Sequence, residues 1–131
     1  MKQYNDEPYI ISITSFGKRL ETLPQAIFTL LTQTYKRTHI MVTISRSSAA
    51  FIKHDLNLML NANMFELNVV EDEADLGPHT KYYYAMQKYT HLPIMTFDDD
   101  RYYEPHMVER LVNKYETTKY KSIISNCAIE M

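Results

Sequence analysis

The chain has one cysteine and two glycines among its 131 residues, and no apolar run long enough to cross a bilayer. A single thiol, Cys127, excludes an intramolecular disulfide framework and suits a reducing compartment. Set within Ser122-Ile123-Ile124-Ser125-Asn126-Cys127-Ala128-Ile129, it reads as a small buried hydrophobe. The lack of a stretch of ~18 apolar residues argues against a helical membrane span. The polar start from Met1 to Pro8 has no signal-peptide core. The expected location is therefore cytoplasmic, at most peripheral at the inner face of a membrane. Neither sign of charge prevails: the net charge is -2 and there is no basic stripe, so nucleic acid is not an expected partner. The phosphate-binding signatures GxxxxGK[ST] and GxGxxG are missing as well, which argues against a P-loop and against the usual dinucleotide fold. There is no internal repeat, low-complexity tract or linker.

What remains is the composition of an ordinary soluble globular protein, 45% apolar and 23% charged, in a length that makes one domain. Scarce glycine directs attention to Gly17 and Gly77, the places where positive φ costs nothing, and both follow predicted strands. Tyr9 to Thr14, His39 to Ser45, Phe65 to Val70, Pro93 to Phe97 and Ser122 to Asn126 are apolar or β-branched runs that predict five strands. Between them, helical spacing of apolar residues predicts a helix from Thr22, opened by a Thr22-to-Gln25 capping box with Pro24 in its first turn. A second helix is expected over Ser47 to Asn61, a third after Gly77-Pro78, and a fourth from Glu104-Pro105. Strand and helix alternate with short connections. That pattern predicts an α/β, Rossmann-like, mostly parallel sheet with helices on both faces, because each crossover must be right-handed and bury its apolar stripe on the sheet.

In such a sheet the strand exits converge on one edge, where ligands bind. Thr14 and Ser15, Ser45 and Arg46, Asp75 to Lys81, and Asp98 to Asp100 all fall there. The last group is three consecutive carboxylates directly after an apolar run. In an extended chain Asp98 and Asp100 would share a face with Cα atoms roughly 6–7 Å apart. Like charges this close require a compensating cation. With Arg19, Arg46 and Lys81 nearby, the set suits a diphosphate held through a divalent ion, and oxygen-only ligation favours Mg²⁺ or Mn²⁺ over zinc. Blander readings stand beside this one: Arg19 as a surface charge near a helix start, Lys81 as a partner for Asp75, Glu71 to Glu73 as a solvated turn, His79 and His106 as exposed residues, and Tyr82 to Tyr84, Tyr102 and Tyr103 as packing.

Four segments in order carry a resemblance: Ile11-Ser12-Ile13-Thr14-Ser15-Phe16-Gly17-Lys18-Arg19-Leu20; Ala26-Ile27-Phe28-Thr29-Leu30-Leu31-Thr32-Gln33-Thr34-Tyr35; Asp75-Leu76-Gly77-Pro78-His79-Thr80-Lys81; and Thr96-Phe97-Asp98-Asp99-Asp100 followed by Tyr103-Glu104-Pro105. Together they resemble the amino-terminal half of family 2-like glycosyltransferases with the GT-A fold, over about Tyr9 to Asn126. The resemblance implies a domain that binds a nucleotide-diphospho-sugar, a UDP-sugar above all, through Mn²⁺ or Mg²⁺ at an Asp-x-Asp motif, and that passes the sugar to a glycan, lipid or other acceptor. Residue by residue, it implies Asp100 as metal ligand and Asp98 as a ligand or ribose contact, with Asp99 supporting both. Thr14 and Ser15 would line the nucleoside pocket, and Arg19 and Lys81 would approach base or phosphates. Ser45 and Arg46 depart from the pattern, which often places an acidic residue there. Glycosyl transfer also needs a base for the acceptor hydroxyl. Glu104 and Glu130 are the substitutes present, and the acceptor-binding half is expected to be missing, with a second subunit or a second copy completing the fold. The alternatives are a non-catalytic nucleotide-sugar-binding or assembly module and, more distantly, a nucleotidyltransferase on a related scaffold.

Overall fold

Apolar, β-branched segments lie side by side as a sheet in the computed structural model, which describes residues 8–72, 80–118 and 124–125. The strands are β1 (Tyr9–Thr14), β2 (Thr38–Ser45), β3 (Glu66–Val70), β4 (Ile94–Phe97) and β5 (Ile124–Ser125), and the helices are α1 (Leu23–Leu31), α2 (His54–Asn61), α3 (Thr80–Lys88) and α4 (Met107–Thr118). The strand order is β3-β2-β1-β4-β5 with every pairing parallel. The chain builds outward from β1 through β2 to β3, then returns to the other side of β1 for β4. That reversal makes the β1/β4 seam the topological switch point, the position at which open α/β sheets bind ligands in a crevice beyond the strand ends.

Alternation along the strands divides the core. Tyr9, Ile11 and Ile13 of β1 pack in one cluster with Leu23, Ile27 and Leu30 of α1, Leu56 of α2, and Val108, Leu111 and Val112 of α4. Ile10, on the opposite face, packs with Met41, Ile94 and Ala85 of α3. Helices thus cover both faces, as the alternation of predicted elements requires. Among the described residues, no helix is long and apolar enough to cross a membrane.

Local expectations fare unevenly. The first helix begins at Leu23 with Pro24 in its first turn, but the capping box does not form. A 3₁₀ turn over Gly17–Glu21 runs straight into it, so Thr22 already has helical φ/ψ and makes no side-chain cap. Its hydroxyl instead lies 2.9 Å from the carbonyl oxygens of Arg19 and Asp99. The helix expected over Ser47 to Asn61 is two pieces, a 3₁₀ turn at Arg46–Phe51 and α2, separated by extended backbone at Ile52 and Lys53. Asn63 ends α2 in the left-handed region, φ 59°, which asparagine tolerates. The Asn63 and Met64 N–H groups then return to the Leu60 and Met59 carbonyls, the pairing of a Schellman cap. The fourth helix starts at Met107 rather than at Glu104-Pro105. Buried Gln33 sets that start: its Oε1 accepts the Val108 N–H at 2.9 Å and its amide donates to the Glu104 carbonyl at 2.8 Å, a cap supplied from another element. Of the predicted Ser122 to Asn126 strand, Ile124–Ser125 is seen. Gly77, Asp75, His79 and Cys127 lie outside the described residues.

At the amino end of the sheet, Glu66 gathers three partners. Tyr89 donates its hydroxyl to Oε1 at 2.5 Å, His39 Nε2 lies 2.8 Å from the same oxygen, and Lys88 bonds Oε2. Burial would raise the carboxyl pKa, but these hydrogen bonds and the Lys88 charge outweigh it and hold it down at about 2. A folded-state value below the ordinary ~4.3 means the contribution is complete above about pH 5 and is lost as pH falls toward 2. Glu66→Gln should therefore cost about 1–2 kcal/mol at pH 7, a figure reduced for the exposure of Lys88. Urea unfolding should show that difference shrinking steadily below pH 5. A difference independent of pH would contradict the account.

Candidate functional site

The β1 and β4 strands are paired from Ile10↔Ile94 to Ile13↔Phe97, so the segments following Thr14 and Phe97 leave the sheet side by side. The strand ends at Phe97 as its sequence predicts, but the triplet is not the extended chain that would put Asp98 and Asp100 on one face: the chain turns over Asp99 and Asp100, so the three carboxylates enter different surroundings.

Asp99 points inward and is 1% exposed. Buried Ser15 donates its hydroxyl to Oδ2 at 2.6 Å, and Arg19 Nη2 donates to Oδ1 at 2.5 Å. With Thr22 on its carbonyl oxygen, Asp99 fastens the loop after β1 and the start of α1 to the loop after β4. Buried charges persist where they are paired and hydrogen-bonded, and here each carboxylate oxygen has a donor. The side chains of Asp98 and Asp100 are 19% and 56% exposed. Each has a guanidinium at 3.6 Å, from Arg101 and Arg19 respectively. Asp100 is thus half exposed and Asp98 partly buried, with the middle carboxylate committed to the scaffold.

Tyr103 holds Asp98 from below. Its hydroxyl accepts the Asp98 N–H at 2.8 Å and lies 3.1 Å from the Asp98 carbonyl, to which it donates. The ring packs edge-on against Phe97, and burial drives the phenol pKa well above its usual value. The reading of Tyr103 as packing is therefore incomplete, since the polar end fixes the backbone of the first aspartate. Tyr103→Phe keeps the ring and removes both bonds. It should cost about 1 kcal/mol in denaturant unfolding, and wild-type stability in the variant would contradict this role.

The remaining candidates fall around the same edge. Thr14 is half-buried at the end of β1, in register with Thr43 of β2. Gly17 takes φ +57°, a turn that suits glycine, and its N–H meets the Ser48 hydroxyl at 2.9 Å, tying the loops after β1 and β2 together. Lys81 is placed in the first turn of α3. Arg46 pairs with Glu71 at 2.7 Å, and Asp72 accepts the Ser47 N–H at 3.0 Å. The acidic segment after β3 is therefore exposed but specifically bound: Arg46 holds the Glu71 carboxyl below its usual pKa, and the Ser47 N–H does the same for Asp72. His106 sits on the surface beside Thr34 and Glu109. Among the described residues, no three His, Cys, Asp or Glu side chains converge to hold a metal unaided. Thr22, Ser48 and Tyr103 were not singled out as site residues by their sequence; only Tyr103, within the segment after the triplet, carried a hint.

Asp98 and Asp100 thus stand at the switch point of a parallel sheet, next to the Ser15–Asp99–Arg19 cluster. A search of curated proteins returned no match. The profile described as "Glycosyl transferase family 2" matches residues 10–130, from within β1 through β5, and so covers the Thr14-Ser15 exit and the aspartate triplet. The chain belongs to glycosyl transferase family 2.

Proposed function

We propose that the crevice between β1 and β4 binds a UDP-sugar, with its diphosphate held through Mg²⁺ or Mn²⁺ at Asp100 and Asp98, and that the sugar passes to an acceptor hydroxyl. The observation that carries this reading is the division within the triplet, one carboxylate locked into the fold, one half exposed and one partly buried at the end of β4. Such a pair fits a magnesium-like ion, which is commonly bound by one or two carboxylates together with substrate phosphates rather than by a complete protein cage. When bound, the ion would stabilise the charge of the departing diphosphate. The chain's own groups would do the rest. Thr14 would border the nucleoside, Asp99 would keep Ser15 and Arg19 in place, and Arg19 and Lys81 would supply positive charge for the phosphates. In this reading residues 10–130 are the donor-binding unit. Calorimetric titration of UDP with and without Mn²⁺ tests it: binding should need the metal, and metal-independent or undetectable binding would overturn it.

One observation favours a second reading, a non-catalytic nucleotide-sugar-binding module. Glu104, the described carboxylate nearest the triplet that sequence offered as a base, accepts the His106 N–H at 3.0 Å and is bonded by Arg110. Both hold its pKa down, which suits a structural carboxylate better than a proton acceptor. Sugar transfer by the purified 131-residue chain would exclude this second reading.

A further inference from the structure

Arg19 stands between two carboxylates that have different fates. Its Nη2 is 2.5 Å from buried Asp99 and 3.6 Å from exposed Asp100. The first contact is a charge-assisted hydrogen bond onto a carboxylate whose other oxygen is held by Ser15. The second is a longer ion pair between groups about half exposed, with side-chain exposures of 48% and 56%. Solvated pairs of that kind are weak and readily exchanged. The guanidinium also lies over the half-exposed Phe16 ring, 5.4 Å from its centroid. The same Nη2 of Arg19 thus makes one fixed and one releasable contact, and the releasable contact is to the carboxylate assigned above to the metal.

Resting on that donor-site reading, we propose that Arg19 is a resident counter-cation and positioning residue that makes metal and nucleotide load together. A divalent ion arriving alone at Asp100 must displace the guanidinium contact and then sits close to a cation still anchored on Asp99. An ion arriving with a diphosphate brings an anion whose charge answers the guanidinium that Asp100 no longer balances. One side chain therefore disfavours metal alone and favours metal with donor, a coupling of the two ligands at a single residue. A merely structural Arg19–Asp99 bridge would disturb both binding events in the same direction. The proposed role moves them in opposite directions.

The test uses the full chain and Mn²⁺ alone, followed by the electron paramagnetic resonance signal of the free ion, with UDP titrated separately at saturating Mn²⁺. Arg19→Gln should bind Mn²⁺ alone about fivefold more tightly than wild type, or ~1 kcal/mol, and should bind UDP with Mn²⁺ at least about fivefold more weakly. Arg19→Lys, whose compact ammonium reaches one carboxylate at a time, should shift Mn²⁺-only binding in the same direction by about twofold. Circular dichroism shows which variants fold. If Arg19→Gln does not, Arg19→Lys decides. Unchanged or weakened Mn²⁺-only binding in a folded variant overturns the proposal. If that result comes while wild type still binds UDP in an Asp100-dependent, Mn²⁺-dependent way, only the role of Arg19 falls. If wild type shows no such binding, the donor-site reading falls and takes this inference with it.

Discussion

Asp99→Ala should lower the unfolding free energy by about 2–3 kcal/mol, while Asp100→Ala, one residue away, should change it by less than about 0.5 kcal/mol. Three adjacent aspartates would be expected to respond alike if they were one solvated acidic turn. They differ because β4 ends at Phe97 and the following turn sends the Asp99 carboxylate inward, to Ser15 and Arg19. Removing it deletes two charge-assisted bonds and leaves the buried Ser15 hydroxyl without its acceptor, but Arg19 is half exposed and can be hydrated, which keeps the cost below that of breaking a fully buried pair. Asp99→Asn retains an acceptor for Ser15 and loses the charge facing Arg19, so it should cost roughly half as much. Urea unfolding at pH 7 checks the series. Equal effects at positions 99 and 100 would show that the middle carboxylate is not the structural one.

The second large effect has the opposite profile. Asp100→Ala should weaken Mn²⁺-dependent UDP binding at least about 100-fold, equivalent to ~2.8 kcal/mol, with the fold intact. The size follows from the small number of ligands. Where an ion takes only one or two protein carboxylates and completes its shell with phosphate oxygens and water, losing one removes a large share of what the protein contributes. Asp98→Ala should act in the same direction and more mildly, because the Asp98 side chain is less exposed and its backbone remains clamped by Tyr103. Calorimetry on both variants gives the comparison, and binding indifferent to either substitution would remove the metal-bridged reading.

How far sequence carried these conclusions differs from element to element. β1, β2 and β4 were readable because each is a short apolar run with its period intact, buried on both faces of a parallel sheet. The alternation of strand and helix then predicted a mostly parallel sheet with helices on both faces, whereas the strand order that puts the switch point between β1 and β4 is seen only in the structure. What could not be read depends on contacts made across long separations. The capping box at Thr22 failed because a 3₁₀ turn from Gly17 arrives already helical and because Asp99, 77 residues away, offers its carbonyl to the Thr22 hydroxyl. The start of α4 is set by Gln33, 75 residues from the Val108 N–H that it accepts. The break at Ile52 and Lys53 escaped a periodicity argument because Ile52 still packs on the core, so its apolar spacing looks the same whether or not the helix continues. Within the triplet, composition located the carboxylates but not their division of labour, since that depends on the turn over Asp99 and Asp100 and on Ser15 and Arg19, 84 and 80 residues from Asp99.

A structure determined with UDP and Mn²⁺ bound tests the central claim most directly. The account predicts that a carboxylate oxygen of Asp100 would ligate the metal, that the diphosphate would lie over the β1/β4 seam, and that Asp99 would still be bonded to Ser15. A nucleotide seated elsewhere on the chain, or a metal that leaves Asp98 and Asp100 untouched, would contradict it.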